Sequence, residues 1–444
     1  MIDPIEAGYI IPMLVSFGVS FGLCCLFALV PSLFLNQEHM RNDLNARQAE
    51  HKRPTPRIGG VGVILGVAVT SAIYWQRIEN DLIWALVATA VVFAVGLRED
   101  LHRDMSPKVR LLAAFASASL AMILTGALLP RLGVPFLDTI VGLTFVGVLL
   151  TLLWSAGACH ALNLIDGLNG LASGYSMMAS VAFFVIAGMT GDYDVQFVSG
   201  VLSLALLGFF VLNWPRGYLF LGDAGAYAIG HILSWLGIIL LVRNPEGAGL
   251  AVLLVLFWPV ADTAFAIWRR RMLDKGTDQP DRLHFHHLVV RALRIVFGKK
   301  LKSELYNPFG ALVLFPFVAA PIIAGVISWQ NGLLALLFLL LFGTLFIGTY
   351  VVSMNFFRNR KFGQKDVVKA PSNRPEVRPI EVSALSGIYG EGSQSTNLQI
   401  FKRSESGNWS IASKDQKGDE ITIFDKFTTD HEAWDYFNAS MAKD

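Results

Sequence analysis

The stretch YIIPMLVSFGVSFGLCCLFALVPSLFL, residues 9–35, carries no charged side chain from end to end. A hydrocarbon core about 30 Å thick takes roughly 20 apolar residues of helix, so this run is long enough to cross a bilayer. It follows an acidic stub, MIDPIEAG, with no Lys or Arg in front and no small-residue cleavage site, and it reads as a retained helix, not a removed signal peptide. Comparable runs recur at 58–75, 82–97, 111–129, 136–154, 172–190, 195–212, 224–242, 249–268, 308–328 and 333–354, which makes about eleven spans. Of the 444 residues only 16% are charged, and the mean hydropathy is +0.51. A single soluble core is excluded, and the expected class is an all-α polytopic membrane protein. A net charge of +2, with its basic residues in loops, argues against nucleic acid as a partner. Three cysteines, two of them adjacent in the first apolar run, make no disulfide framework.

Assigning the connecting segments to alternate sides puts twenty Lys and Arg on one side and only Arg77, Arg131 and Arg243 on the other. The positive-inside rule then places the N-terminus outside and, with eleven crossings, the C-terminus in the cytoplasm. Residues 1–354 form the expected membrane domain. Residues 355–379, basic and with three prolines, read as a linker. Beyond it LQIFKR, WSIAS and EITIFD alternate like half-buried strands and DHEAWDYFNASM resembles a capped amphipathic helix. A small cytoplasmic α+β module, β-β-β-α over 380–444, is expected, with an accessory role.

The polar clusters fall on the basic side. HKRPTPRIGG (51–60) sets Lys52, Arg53 and Arg57 around two prolines, then three glycines that let a ligand or another helix approach. In LREDLHRDMSPKVRL (97–111) the adjacent Glu99 and Asp100 repel each other unless a cation is near. The competing reading is a solvated loop in which Ser106 caps the next helix and Pro107 opens it. HALNLIDGLNGLASG (160–174) repeats Asn163, Asp166 and Asn169 at a helical spacing that puts them along one side. LNWPRGYLFLGDAGAYAIG (212–230) sets Asp223 between glycines at the start of a span, either as an N-cap or as a hard oxygen ligand for a metal. PVADTAFAIWRRR (259–271) contains an intramembrane acid, Asp262, whose cost in hydrocarbon demands a polar cavity or a partner. RLHFHHLVVR (282–291) crowds His284, His286 and His287 beside Arg282. On a helix His284 and His287 would share a face and His286 would point elsewhere. Mg²⁺ prefers oxygen, so the imidazoles read as hydrogen-bond donors instead of a metal site.

Taken together, TPRIGG, the acidic pair followed by SPK, NLIDGLNGLASG, NWP with FLGDAG, and PVADT with PDRLHFHHL resemble the polyprenyl-phosphate N-acetylhexosamine-1-phosphate transferases, the MraY/WecA superfamily, over about residues 50–290. The HxHH spelling is similar to the WecA-like branch. The resemblance implies transfer of N-acetylhexosamine-1-phosphate from a UDP-sugar to undecaprenyl phosphate with release of UMP, initiating a lipid-linked surface polysaccharide. It implies a bacterial inner membrane location, an active site on the cytoplasmic face, and Mg²⁺, or Mn²⁺ in its place, as cofactor. UDP-N-acetylglucosamine or a 6-deoxy relative is the implied donor, membrane lipid surrounds the protein, and a homodimer is left open. Carried onto this chain, it makes Asp223 and Asp166 metal ligands. Glu99, Asp100, Asp166, His284, His286 and His287 become catalytic, and Lys52, Lys108, Asn163, Asn169, Asn213, Phe220, Asp262 and Arg282 contact substrate. Glu99 stands where Asp is usual in the family, and Asn169 where many relatives have Asp. Two alternatives are MraY-like transfer of phospho-MurNAc-pentapeptide and, in another class, a transporter or lipid flippase. Transporters gather polar groups near the midplane on repeated halves, and no internal repeat is visible here.

Overall fold

The computed structural model describes residues 4–30, 55–272 and 283–359. Beyond them it describes 381–382, 387–389, 396–402, 409–415 and 420–427, with positions 429, 431, 432 and 435. The chain divides into two units, Met1–Phe357 and Arg358–Asp444.

The first unit is helical. In chain order it comprises α1 (Pro4–Leu29), α2 (Gly59–Ile73), α3 (Asn80–His102), α4 (Pro107–Thr125), α5 (Pro135–Val141), α6 (Thr144–Ile165), α7 (Leu171–Thr190), α8 (Tyr193–Asn213), α9 (Gly222–Arg243), α10 (Gly249–Val255), α11 (Phe257–Met272), α12 (Phe285–Phe297), α13 (Tyr306–Ile327) and α14 (Gly332–Asn359). Among the described residues nine helices are long and apolar enough to cross a membrane. The pair α10 and α11, bent by 84°, makes a tenth if taken as one broken span. The remaining expected span corresponds to α2, whose 15 residues reach only about 22 Å at 1.5 Å per residue, short of a full hydrocarbon core.

Two helix ends differ from expectation in the same way. The span expected over 136–154 is a short α5 followed by α6, which runs on to Ile165, and α3 continues through Glu99 and Asp100 to His102. Hydropathy marks where lipid ends, whereas a helix continues for as long as its backbone bonds do, so acids expected in a loop sit on a final helical turn. The next boundary is as expected: the Ser106 hydroxyl accepts from Val109 N at 3.3 Å, Pro107 opens α4, and Gly126 closes it in the left-handed conformation.

The core is built around α9, which packs on α2, α3 and α6. Between Asp223 in its first turn and Arg243 in its last it has no Asp, Glu, Lys or Arg, as suits a helix enclosed by other helices, and 94% of its apolar stretch is buried, against 11% for the outward-facing α14. Its crossing with α2 is backbone to backbone, since a Cβ on Gly60 would lie 2.2 Å from Gly225 Cα. At the far end of α9, Arg243 is clamped by Asp81, Asp192 and Asp194 at 2.5, 2.6 and 2.7 Å, with Glu79 at 3.3 Å.

In the second unit β1 (Glu381–Val382), β2 (Gly387–Tyr389), β3 (Thr396–Lys402), β4 (Trp409–Asp415) and β5 (Glu420–Phe427) form an antiparallel sheet in the order β1-β3-β4-β5, with β2 also pairing β3. The three expected strands are β3, β4 and β5; the two short ones were not expected. The register aligns Ile400 with Ile411 and Ile411 with Ile423, and Ile400 is fully buried. Of the expected helix, His431, Glu432 and Asp435 are helical, Thr429 Oγ1 accepts from Glu432 N at 3.1 Å, and the rest lies outside the described residues.

Candidate active site

The site forms where the C-terminal ends of α3 and α6 meet the N-terminal ends of α4 and α9. The first turn of α9 has unpaired backbone N–H groups, and no side chain of its own caps them. Asp100 does so from α3: Oδ1 accepts from Asp223 N at 2.8 Å and Oδ2 from Ala224 N at 2.9 Å. This corrects the capping alternative for Asp223. With the helix terminus held by Asp100, the Asp223 carboxylate is turned to other work. Gly222 makes the approach possible, since its φ is +77° and a Cβ there would sit 2.0 Å from Arg57 O and 2.6 Å from Asp100 Oδ2.

Asp223 Oδ2 instead accepts from Arg110 Nη1 at 2.5 Å, one turn into α4. The same guanidinium lies 4.0 Å from Glu99 Oε1, while Glu99 Oε2 accepts from Met105 N at 2.9 Å and so also braces the α3–α4 turn. The TPRIGG segment joins this assembly through its backbone. Phe220 N donates to Pro56 O at 2.8 Å, Gly59 N to Phe220 O at 2.9 Å and Gly60 N to Leu221 O at 2.8 Å. TPRIGG and FLGDAG, some 160 positions apart in sequence, are thus one bonded unit.

On the facing side, α6 ends before the third residue of its polar series. Asn163 is on the helix, Asp166 is its C-cap, and Asn169 lies in the turn beyond. The three do not share one helical face, because the helix ends at Ile165 and a turn containing Gly167 intervenes. Asn169 is buried; its N–H donates to Asn307 Oδ1 at 2.8 Å and its amide to Pro215 O at 3.2 Å. Asn213 accepts from Gly170 N at 2.5 Å and donates to Leu219 O at 2.8 Å. Both residues tie neighbouring loops together. The Asn163 amide nitrogen, by contrast, is buried without a partner among the described residues, as are Arg110 Nε and His160 Nε2. Burial pushes the Asp166 carboxyl up to about 7, with Arg57 opposing and Asp223 adding to the rise.

The histidine segment packs onto this loop. A Cβ on Gly167 would lie 2.3 Å from His286 Nε2, so only glycine admits the ring. His284 does not lie on the helix: it is the N-cap residue of α12 in an extended conformation. The expected sharing of a face by His284 and His287 is therefore lost, and the near-parallel pair is His284 with His286, centroids 5.7 Å apart. The ring of His287 is 4.2 Å from that of His286. Asp262 finds its partner here, Oδ2 accepting from His284 Nδ1 at 2.8 Å.

Of the other expected contacts, Lys108 is exposed on the first turn of α4, Phe220 is half-buried, and Lys52 and Arg282 lie outside the described residues. Reading the sequence missed Arg110, His160 and Tyr227. Tyr227, four residues after Asp223 and so on the same face of α9, meets His160 edge to face at 5.0 Å. That spacing was available in the sequence. The reach of Arg110 to Asp223 was not.

The donor set suits a hard cation. Asp166 accepts no hydrogen bond among the described residues, and Asp223 is committed through one oxygen only. Mg²⁺ is held by one or two carboxylates together with phosphate and water oxygens, and a cation beside Asp166 would reverse the burial penalty on its charge. Glu79, Asp81 and Asp194 also bring carboxylate oxygens within 4.8 Å of one another. That cluster is at the opposite end of α3 and α9, and the Arg243 guanidinium already supplies its positive charge.

The family model for glycosyl transferase family 4 matches residues 82–241. The chain is 30% identical over 249 residues to the probable undecaprenyl-phosphate N-acetylglucosaminyl 1-phosphate transferase of Bacillus subtilis, covering 55% of this chain and 68% of that protein. It is 30% identical over 271 residues to the decaprenyl-phosphate N-acetylglucosaminephosphotransferase of Mycobacterium tuberculosis, covering 54% and 67%. It is 28% identical over 302 residues to the undecaprenyl-phosphate alpha-N-acetylglucosaminyl 1-phosphate transferase of Escherichia coli O157:H7, covering 66% and 80%. A multi-pass helical membrane protein with these relatives belongs to the polyprenyl-phosphate N-acetylhexosamine-1-phosphate transferase superfamily, glycosyl transferase family 4.

Proposed function

We propose that the protein transfers N-acetylhexosamine-1-phosphate, with N-acetylglucosamine the leading sugar, from its UDP donor to undecaprenyl phosphate. A phosphate oxygen of the lipid attacks the β-phosphorus, the bond from that phosphorus to the bridging oxygen breaks, and UMP leaves. One phosphoanhydride replaces another, so no ATP is consumed. The reaction faces the cytoplasm at a bacterial inner membrane, following the basic loops, and it begins a lipid-linked surface polysaccharide.

The observation that carries this reading is the Asp100, Asp223 and Arg110 assembly at the N-terminus of α9, opposite Asp166. Phosphoryl transfer needs positioning and positive charge more than covalent help from the protein. Asp223 and Asp166 hold Mg²⁺, which when bound offsets the charge that collects on the phosphoryl oxygens. Arg110 adds a fixed cation beside Asp223. Asp100, with both oxygens committed to backbone N–H groups, acts by holding Asp223 in place, and Glu99 braces the adjoining turn. The Asn163 amide, buried without a partner among the described residues, is a donor for the nucleotide, and the histidines face the diphosphate and sugar.

The test is UMP release by purified protein with Mg²⁺, undecaprenyl phosphate and a panel of UDP-sugars that includes UDP-MurNAc-pentapeptide. Release with UDP-N-acetylglucosamine or a 6-deoxy relative is expected. Folded protein that releases UMP from none of them sinks the transferase reading, and release from the pentapeptide donor alone moves the protein to the other branch. A chain ending at Phe357 lacks the second unit and should retain turnover of the same order, because every residue named above lies in Met1–Phe357. Loss of turnover in that truncated protein, shown folded, would refute the accessory role of the sheet.

A further inference from the structure

An acid inside a membrane bundle is costly and calls for an explanation, and Asp262 sits in α11 with its side chain 4% exposed. Its two oxygens are used differently. Oδ2 accepts from His284 Nδ1 at 2.8 Å, and Oδ1 accepts from the backbone N–H of Phe285 at 3.1 Å. It therefore touches the imidazole and also the start of the helix that carries His286 and His287.

Anchoring the chain does not by itself require an acid here. The preceding carbonyl, Leu283 O, already accepts from Arg269 Nη1 at 3.0 Å and from Tyr350 Oη at 3.2 Å, and Arg269 donates to the same phenol oxygen at 2.6 Å. Segment 283–285 is thus tied to α11 and α14 by neutral and cationic donors. What Asp262 adds is a carboxylate at one named ring nitrogen. A carboxylate only accepts, so Nδ1 must carry a proton. The buried ring stacks near-parallel on His286, whose Nε2 abuts Gly167 next to Asp166. Rotation of the His284 ring would break the Asp262 bond and disturb that stack.

We infer that Asp262 is a positioning residue for His284. Its bond at Nδ1 sets the ring orientation and leaves Nε2 as the nitrogen that meets the phosphate-bearing substrate. Asp262 does not itself contact substrate, which revises the role the sequence resemblance implied for it. The inference rests on the transferase reading for what Nε2 meets, but the Asp262–His284 pairing stands apart from it.

Two measurements on the full-length protein test it. The first is the ¹⁵N spectrum of histidine-labelled protein, with the His284 signals assigned by their loss in His284→Ala. Nδ1 should be protonated in the wild type, and its signal should move in Asp262→Asn, whose amide can present N–H₂ to the ring and transfer the proton to Nε2. An unprotonated Nδ1 in the wild type overturns the inference even if no variant folds. The second is kcat/KM for UMP release. Asp262→Asn should lose on the order of 10-fold or more, the lower end being the usual cost of removing a partner that orients a ligating histidine and the upper end, about 10⁴-fold, that of removing the carboxylate behind a catalytic one. Asp262→Asn combined with His284→Ala should lose no more than His284→Ala alone, because one residue acts through the other. Losses that multiply would mean that Asp262 acts independently of His284, and unchanged kcat/KM in Asp262→Asn would remove its role. Wild-type protein inactive with every donor would sink the transferase reading, and the ¹⁵N result would still decide the pairing.

Discussion

Asp223→Asn is expected to abolish UMP release, with a loss on the order of 10³-fold or more, and additional Mg²⁺ should not restore it. Asparagine keeps the shape of the side chain and one acceptor oxygen but removes the negative charge. Arg110 Nη1, now 2.5 Å from Asp223 Oδ2, would face a neutral amide, and the hard-oxygen pair proposed for Asp223 and Asp166 would be reduced to a single carboxylate. Raising the Mg²⁺ concentration refills a site of lower affinity but does not replace the missing charge where the diphosphate binds. The fold should survive, because Asp100 and not Asp223 caps the first turn of α9. An unchanged thermal transition together with lost turnover, measured over a Mg²⁺ titration, is the expected result. Near-normal activity would mean that the metal is held elsewhere.

Arg243→Met should have the opposite profile, with lost stability and intact chemistry. The guanidinium lies within 3.3 Å of four carboxylates, of which Asp192 and Asp194 are each only 8% exposed. Removing the guanidinium leaves like charges packed together and poorly solvated, a loss on the order of 3–5 kcal/mol for a buried pair broken from one side. The clamp ties the start of α3 and the α7–α8 turn to the last turn of α9, so these elements should loosen together. It lies about 30 Å from Asp223 along α9, from the rise per residue, so turnover per folded molecule should be unchanged. A lowered thermal transition and reduced yield are the readouts. Arg243→Lys should recover only part of the loss, since an ammonium cannot spread its donors over several carboxylates as a planar guanidinium does. A Met variant as stable as the wild type would show that the four acids need no counterion.

Much of the membrane domain was legible because hydropathy is a local property. A run such as 9–35 declares a span with no knowledge of its neighbours, whereas the enclosure of α9 by other helices appears only in the packed structure. The motif order supplied the family, and Asp166, Asp223 and the histidines do gather at one end. Helix ends were less legible. Glu99, Asp100 and His160 carry polarity on turns that remain helical, and sequence polarity does not separate a polar final turn from a loop.

Sequence alone thus settled the membrane class and the approximate spans, which follow from patterns within about 20 residues, where chain connectivity fixes who is near whom, and the family, which follows from the order of its motifs along the chain. Tertiary structure decided the assignments of work. Asp100 caps a helix 123 residues away, Arg110 pairs with Asp223 across 113 positions, and Asp262 reaches His284 across 22. A carboxylate bonds whichever donor the packing presents, and its own neighbourhood in sequence does not say which that will be. For that reason Asp223 read as a possible cap until Asp100 was seen in that place, and His284 read as a helical residue until its backbone was seen to stop one position short of the helix.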